Sequence, residues 1–568
     1  MYDLIIQNGT IIDGSGNERF IGDIAIDGNK ISKIGTLSAE DIDDAKEVID
    51  ATGKLVTPGW VDIHTHYDGQ ATWDPILAPS SWHGVTTVVM GNCGVGFAPV
   101  RPGAENFLIE LMEGVEDIPG SALAEGIDWQ WETFPEYMDA LEKMPRTIDV
   151  ATQVPHASVR AYVMGERCNG DDDPTAEELA EMQKIVREGI EAGALGFSSS
   201  RTLLHKDVHG EYVPGTFAGS DEMLQLGLAM KGLDHGVFEL VSDHLGDDDE
   251  WQWIKQFAKE TGKKVTLIAT SAAAYEDGKL YRIAEEARAE GMEILPQMAG
   301  RPTGVLHGLQ SSFHAFIGHP TYKADIDSLP LAEKVAKMQD PEVKAQILSE
   351  ESGIKSAMLG TMEQLMSRVF PLGENPNYEP DYEDSVAGIA EARGVAPLDV
   401  MYDLLVAEEG KELFYQPLGG YANYNLEGQR KVMLHPNVIM GLSDGGAHCG
   451  VIADAGMPTF IMTHWGRDRT KGETLPLEFI VQSLTSKTAQ TYGMMDRGLL
   501  KEGLIADINV IDFEALRLFR PEAIFDLPTG GKRLVQRVEG YDWTIKSGEV
   551  TFENGEHTGK LPGGLVRG

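Results

Sequence analysis

Two histidines one residue apart, His64 and His66, stand at the end of an apolar run in the stretch VDIHTHYDG. Residues two apart on a strand face the same side, so both imidazoles can converge on one metal ion. Imidazole nitrogen is a good ligand for zinc and related metals. Two polar residues at a strand end without a metal would show the same sequence pattern. The pair is therefore a candidate metal site that requires further ligands elsewhere in the chain.

Two further apolar runs end in residues that could be those ligands. Cys93, in GNCG, could offer a thiolate, and a small buried cysteine is the alternative. Asp444, in SDGGAH, could bind a metal through one oxygen and accept a proton from the attacking water with the other. An aspartate that only caps the following turn is the alternative for Asp444.

The elements that must position these residues alternate along the middle of the chain. Short apolar runs are followed by helical stretches, a pattern that is typical of a parallel (β/α)8 barrel. A doubly wound open sheet would show a similar pattern. Polar residues at the run ends favour the barrel, because the carboxyl ends of barrel strands form one catalytic face. The eight runs are GWVDIHTH, GVTTVVMGN, TIDVATQVPH, GALGFSSS, GVFELVSDH, KKVTLIATS, MEILPQMAG and NVIMGLSDG.

The predicted fold class is therefore α/β, a (β/α)8 TIM-like barrel with a small β-sandwich domain built from both termini. Both ends of the chain read as short strands, so we predict that residues 1–57 and 496–568 form the sandwich and residues 58–495 the barrel. The seventh and eighth runs lie about 135 residues apart, far beyond an ordinary connection. We predict an insertion at about 302–435 that could cover the barrel mouth.

Composition excludes several classes of protein. The chain has 47 basic and 90 acidic residues and a net charge of −43, which would repel nucleic acid and anionic membranes. Three scattered cysteines are too few for a disulfide framework, and the first residues lack the apolar length of a signal peptide or membrane span. We expect a cytoplasmic protein that acts on a small-molecule substrate and has no nucleic-acid or membrane partner. The sequence leaves open whether the protein forms a homo-oligomer.

Several longer motifs together carry a family resemblance. PGWVDIHTHYDGQATWDP, HGVTTVVMGNCGVGFAP, LSDGGAHCG and DRGLLKEGLIADINVIDF resemble the N-acyl-D-amino-acid deacylase (D-aminoacylase) branch of the amidohydrolase superfamily. The similarity runs from Leu4 to about Phe513. It implies a zinc-bearing barrel, with one ion or two, that hydrolyses amide-type C–N bonds.

The resemblance also assigns roles to the candidate residues. It makes His64 and His66 metal-site residues, Cys93 a thiolate ligand, and Asp444 a metal ligand and the general base and acid. The predicted function is deacylation of an N-acyl (D-)amino acid or a similar N-acyl compound by metal-activated water. A cyclic amide, imide, urea or lactone hydrolase of the same superfamily is the alternative.

The chain departs from the family pattern on two strands. Family members usually carry a histidine at the end of the fifth strand and another at the end of the sixth. Here Val241 stands at the first position, with His244 three residues later, and Thr270 and Ser271 stand at the second.

Three outcomes of this departure stay open. One metal could be held by His64, His66 and Asp444, with Cys93 or His244 completing the shell. Another histidine could be recruited, or the protein could be a metal-poor, non-hydrolytic relative. The histidines considered for recruitment are His156, His205, His209 and His307.

Candidate residues for substrate recognition also stand at or just after the ends of the apolar runs. The free carboxylate of an N-acyl amino acid needs a cation, a role that suits Arg160 after the third run or Arg301 after the seventh. Tyr67 and His156 could donate hydrogen bonds to the oxyanion. Ser198–Ser200 end a run without an evident activating base, so none is predicted to be a nucleophile.

Overall fold

The computed structural model describes residues 1–269, 278–353, 365–419, 421 and 423–568. An eight-stranded parallel sheet forms its centre, and neighbouring strands pair in sequence order. A parallel bridge between Thr65 and Gly445 joins the segments that follow the first and last strands. The sheet therefore closes on itself, which confirms the predicted barrel. Its strands are Trp60–Asp62, Val85–Met90, Asp149–Pro155, Gly196–Arg201, Val237–Ser242, Lys264–Ile268, Ile294–Met298 and Ile439–Met440.

Helices cover the outside of the barrel, so its strands are buried on both faces. Phe238 of the fifth strand, for example, packs outward against Trp253 and Phe257, with ring centroids 5.5 and 5.2 Å away. The longest covering helix, Ala176–Glu191, begins at a capping box formed by Thr175 and Glu178. The other covering helices are Glu105–Glu116, Gly120–Gly126, Phe134–Glu142, His156–Met164, Ser220–Leu228, Asp248–Thr261, Lys279–Ala289, Met457–Phe460, the π-helix Ile461–Asp468, Leu477–Leu484 and Ser486–Thr491.

Both termini contribute strands to one mixed nine-stranded sheet, as the sequence predicted. Leu55–Pro58 runs parallel to Leu4–Ile11 and antiparallel to Ile508–Ile511, which places the two ends of the chain side by side. The boundaries at residues 57 and 496 remain our proposal. The other strands of this sheet are Phe20–Asp27, Lys30–Gly35, Glu47–Asp50, Tyr541–Lys546, Glu549–Glu553 and Glu556–His557. The short helix Ala39–Asp43 and two antiparallel strand pairs complete the terminal regions. The pairs are Arg517–Leu518 with Val538–Glu539 and, between them in the chain, the hairpin of Glu522–Leu527 with Gly531–Val535.

The long connection between the last two barrel strands forms a substructure with its own apolar core. It touches the loop that follows the last strand, because the Leu306 N–H donates to the Val451 carbonyl and the Ser312 N–H to that of Gly450, both at 2.7 Å. It thus lies beside the carboxyl end of the barrel. Its strands are Gly304–His307, Phe370–Pro371 and Phe414–Pro417, and its described helices are Pro320–Asp325, Leu331–Met338, Pro341–Ser349, Val386–Arg393, Pro397–Leu405 and Glu427–Met433.

A buried ion cluster joins the barrel to the terminal sheet at the opposite end. Asp149, the first residue of the third strand, lies 3.0 Å from the ammonium of Lys546 and also pairs with Arg497. Lys546 reaches Asp507 at 2.9 Å. Every acid of this cluster therefore has a basic partner.

None of the described helices combines the length and the apolar character that crossing a bilayer requires.

Candidate active site

His64 lies just beyond the first strand, with both ring nitrogens engaged. Its Nδ1 is 3.1 Å from Oε1 of Gln297 on the seventh strand. Its Nε2 is 3.4 Å from the Cys93 sulfur and 3.6 Å from Asp444 Oδ1. Gln297 therefore holds the far side of the ring, and the Nε2 lone pair is directed toward the cysteine and the aspartate.

His66 repeats this arrangement with a different partner. Its Nδ1 lies 3.3 Å from Oε1 of Glu116, and its Nε2 is 3.8 Å from the same Asp444 oxygen. This contact with Glu116 is a close approach rather than an aligned hydrogen bond, since Nδ1 has no hydrogen-bond partner among the described residues. Both histidines thus present Nε2 to Asp444 Oδ1.

The donor atoms of His64, His66 and Cys93 all lie within 4.8 Å of one another. Two ligands of one tetrahedral zinc, bound at about 2.0 to 2.3 Å, are separated by about 3.3 to 3.8 Å. The 3.4 Å between the His64 nitrogen and the cysteine sulfur agrees with that spacing. The donor set of imidazole, thiolate and carboxylate is the set that zinc prefers in proteins.

The loops that carry these residues contain strained backbone conformations. Cys93, Asp444 and His448 adopt φ of +56°, +50° and +50°, values that non-glycine residues seldom take. Next to the cysteine, a Cβ on Gly91 would come within 2.4 Å of the Gln153 carbonyl oxygen, so the turn there requires glycine. Such strain persists where the surroundings enforce it, and it concentrates at functional sites.

Among the described residues, the carboxyl groups of the site are buried without a lysine or arginine partner. Burial raises the pKa of Asp444 to about 8, with the charges of Asp454 and Asp62 adding to it. Burial also raises the pKa of Glu239 to about 8 and that of Glu116 well above its usual range. In the described structure no lysine or arginine forms an ion pair with these three acids. A cation in their midst would stabilise their ionised forms, and this supports the fit of a metal.

Sequence reasoning missed Glu116, Glu239 and His448. His448 Nε2 lies 3.4 Å from Glu116 Oε2, and the imidazole stands four residues after Asp444 in the same motif. Glu239 is the one acid within the apolar run GVFELVS, which is a signal that could have been used. Glu116 ends a helix remote in sequence from the others, and no local pattern distinguishes it.

The structure places His244 away from this cluster. Its side chain is 46% exposed and lies 3.4 Å from Asp247 on the surface. His209 is likewise exposed, beside Glu110, and His307 faces Gln416. Val241 is half-buried on the fifth strand. Thr270 and Ser271 lie outside the described residues.

His205 is the one recruitment candidate near the site. The charges of His205 and His448 both act to lower the pKa of His64 and His66, behind the main effect of burial. His205 Nδ1 is 2.8 Å from the Ser200 hydroxyl.

Tyr67 and the predicted arginines have buried internal partners. The Tyr67 hydroxyl donates to Ser80 at 2.8 Å. Arg301 pairs with Asp454 at 2.7 Å and lies over the Tyr378 ring. Each of these groups is thus already engaged within the protein.

Arg160 and His156 share one carboxylate, Glu222. Arg160 pairs with it, and His156 Nε2 is 3.0 Å from it. His156 Nδ1 contacts the Ser199 hydroxyl at 2.8 Å, so Ser199, like Ser200, does have a histidine beside it. Ser199 is fully buried, which leaves no access for a substrate.

Comparison with known proteins identifies the family. A model described as "Amidohydrolase family" matches residues 47–552. The chain belongs to the amidohydrolase family. It is 26% identical to a D-aminoacylase of Alcaligenes xylosoxydans xylosoxydans, over 99% of this chain and 97% of the relative. A crystal structure of D-aminoacylase matches with a TM-score of 0.65 at 22% identity, covering 100% of both chains.

A second solved structure is N-acyl-D-glutamate deacylase from Bordetella bronchiseptica, with zinc and a phosphonate inhibitor. It matches with a TM-score of 0.63 at 22% identity and covers 100% of both chains. At this identity the two structures support the fold alone. The family match and the D-aminoacylase relative place the chain in the D-aminoacylase branch, as a hydrolase acting on carbon–nitrogen bonds other than peptide bonds.

Proposed function

We propose that this amidohydrolase removes the acyl group from an N-acyl compound, with N-acyl-D-amino acids as the first substrates to test. The observation that carries the proposal is the convergence of His64 Nε2 and His66 Nε2 on Asp444 Oδ1, at 3.6 and 3.8 Å. The name of the D-aminoacylase relative supports the substrate class.

Zinc is the proposed metal, as one ion or two, held by His64, His66, Cys93 and Asp444. When bound, such an ion polarises the substrate carbonyl and makes water more acidic. Burial lowers the pKa of His64 to about 3 and that of His66 well below its usual range, so both imidazoles are neutral donors at neutral pH.

Asp444 performs the proton transfers in this proposal. Its carboxylate accepts a proton from the attacking water and returns it to the nitrogen of the departing amine. The side chain is 12% exposed, whereas those of His64 and His66 are 1% exposed, so Asp444 is the member of the group most open to substrate.

A second candidate is the hydrolysis of a cyclic amide or imide, a substrate that has no free carboxylate. The observation in its favour is that Arg160 and Arg301 are already paired with Glu222 and Asp454. A substrate without a carboxylate would need neither arginine.

The test measures zinc-replete protein against N-acetyl-D-amino acids, their L enantiomers, hydantoins and dihydropyrimidines. Asp444→Asn should lower kcat by about 10²- to 10⁴-fold, the usual contribution of a positioned acid or base. Asp325→Asn, a surface substitution in the insertion, should leave kcat unchanged. Near-normal turnover by Asp444→Asn on the best substrate would refute the mechanism, and hydrolysis of cyclic substrates alone would favour the second candidate.

A further inference from the structure

The fifth barrel strand carries an acid on the face from which relatives are expected to present a histidine. Val241 stands at the expected histidine position, and Glu239 lies two residues earlier on the same strand. Alternate residues of a strand face the same side, so Glu239 shares the face of Val241. Phe238 points the other way, toward the ring of Trp253 on the covering helix.

Glu239 is anchored next to the metal cluster. One oxygen, Oε2, accepts the backbone N–H of Cys93 at 3.0 Å. After burial, the charge of Glu239 is the largest influence that raises the pKa of the Cys93 thiol. The carboxyl group therefore lies beside the residue that supplies the sulfur.

The other carboxylate oxygen is unpaired. Glu239 is 0% exposed, and Oε1 has no hydrogen-bond partner among the residues that the structure describes. Burying a carboxylate oxygen without a partner is costly unless the group is protonated or meets a cation. Within the described ranges no lysine or arginine forms an ion pair with it.

A second buried glutamate, Glu222, shows how a carboxylate with basic partners behaves in this protein. Glu222 is 4% exposed and meets both Arg160 and His156. Burial alone would raise its pKa, but these two partners lower it to about 2. Glu239 has comparable burial, and the part of the chain that the structure describes gives it no such basic partner.

We propose that Glu239 is a metal ligand, a carboxylate from the fifth strand that takes the part of the missing histidine. The inference rests on the proposed function, since it assigns a ligand to the metal of that site. Carboxylate oxygen binds zinc at about 2.0 to 2.2 Å, so it can replace an imidazole nitrogen in the shell. Glu239 would join His64, His66, Cys93 and Asp444 in holding the one or two ions of the proposed function.

The competing role for Glu239 is that of a protonated acid within a polar layer of the barrel interior. Thr266, Gln297 and Gln153 surround the hydroxyl of Tyr492 in this layer, and their hydrogen bonds act to lower the pKa of that hydroxyl, against the larger effect of burial. Because the charge of Glu239 influences Tyr492, the carboxyl group is near this layer as well. In that role the metal would be bound equally well without the negative charge.

The experiment compares Glu239→Gln with wild type and with Glu222→Gln. Glutamine keeps an oxygen acceptor for the Cys93 N–H, so the variant should fold, and circular dichroism checks this. Zinc affinity is measured by competition with a chelator, and the visible spectrum of the cobalt-substituted protein reports the ligand shell. We expect Glu239→Gln to weaken zinc binding by more than about 100-fold, beyond the roughly 10- to 100-fold typical of residues that only orient ligands. We also expect its cobalt spectrum to change, while Glu222→Gln matches wild type in both measurements.

Three results would count against a role for Glu239 in the metal shell. Wild-type zinc affinity in Glu239→Gln would overturn the inference and leave the proposed function standing. A smaller loss with an unchanged cobalt spectrum would also overturn it, because the residue would then only position a ligand. A wild-type protein that binds no metal would refute the proposed function itself.

Discussion

The two ends of the barrel bury their carboxylates in opposite ways. At the amino end of the strands, Asp149 and Asp507 face Lys546 at 3.0 and 2.9 Å. At the carboxyl end, the basic side chains that approach Asp444 and Glu116 within the described ranges are histidines, whose pKa values burial lowers. The first cluster is balanced by the chain's own cations, and the second is not.

The pKa values follow this difference. Burial would raise the pKa of Asp149, but Lys546 and Arg497 outweigh it and lower the value. For Asp444 burial dominates, and the pKa rises to about 8. The buried carboxylates with cationic partners join the terminal sheet to the barrel. A bound cation could stabilise the ionised form of the carboxylates that have no such partners.

Removing the lysine of the balanced cluster is expected to have the largest effect on stability. Lys546→Met leaves Asp507 buried without its cation, and losing one partner of a buried pair costs about 3 to 5 kcal/mol of unfolding free energy. Urea unfolding measures the loss. Lys560→Met, which removes a surface pair with Glu549 at 3.7 Å, should cost less than about 1 kcal/mol. Equal losses of unfolding free energy in Lys546→Met and Lys560→Met would show that the buried cluster stabilises the protein no more than the surface pair does.

Another buried carboxylate, Glu379 in the long connection between the last two barrel strands, extends the comparison to pH. It lies 3.1 Å from His464 and 3.2 Å from Arg469. Burial opposes ionisation, but these partners lower its pKa from 4.5 to about 2. Its contribution to stability is therefore complete above pH 4.5 and is lost as the pH falls toward about 2, a loss of about 3 kcal/mol.

Thermal unfolding between pH 7 and pH 2.5 measures this loss. Glu379→Gln should flatten the acid side of the profile, and Glu374→Gln, an exposed change in the same connection, should leave it unchanged. An unaltered acid limb in Glu379→Gln would show that the partners of Glu379 contribute nothing.

At the unbalanced end, the smallest predicted effect concerns Glu116. This acid lies beside the ring of His66 at 3.3 Å, the position of a carboxylate that orients a metal-binding histidine. Glu116→Gln should weaken zinc affinity by about 10- to 100-fold while the cobalt spectrum stays close to wild type. Glu113→Gln on the same helix is the matched control. A larger loss with a changed spectrum would make Glu116 a ligand instead.

The sequence was sufficient for the fold because the barrel strands lie in short, largely apolar runs that alternate with helical stretches. It also indicated His64, His66, Cys93 and Asp444, since each of them follows such a run. It could not reveal Glu116, which a helix brings to the site from a distant part of the chain. Nor could it show that Arg160 and Arg301 are taken up by Glu222 and Asp454, because those pairings depend on tertiary packing.

The most direct test is the zinc content of the wild-type protein. The protein is purified without added metal, analysed, then exposed to zinc, desalted and analysed again, alongside a His64→Asn/His66→Asn double variant. A metal-requiring carboxyl end predicts about one or more zinc ions per wild-type chain and far less in the double variant. A wild-type content near zero that does not rise on zinc addition would contradict the account and favour a metal-poor homologue.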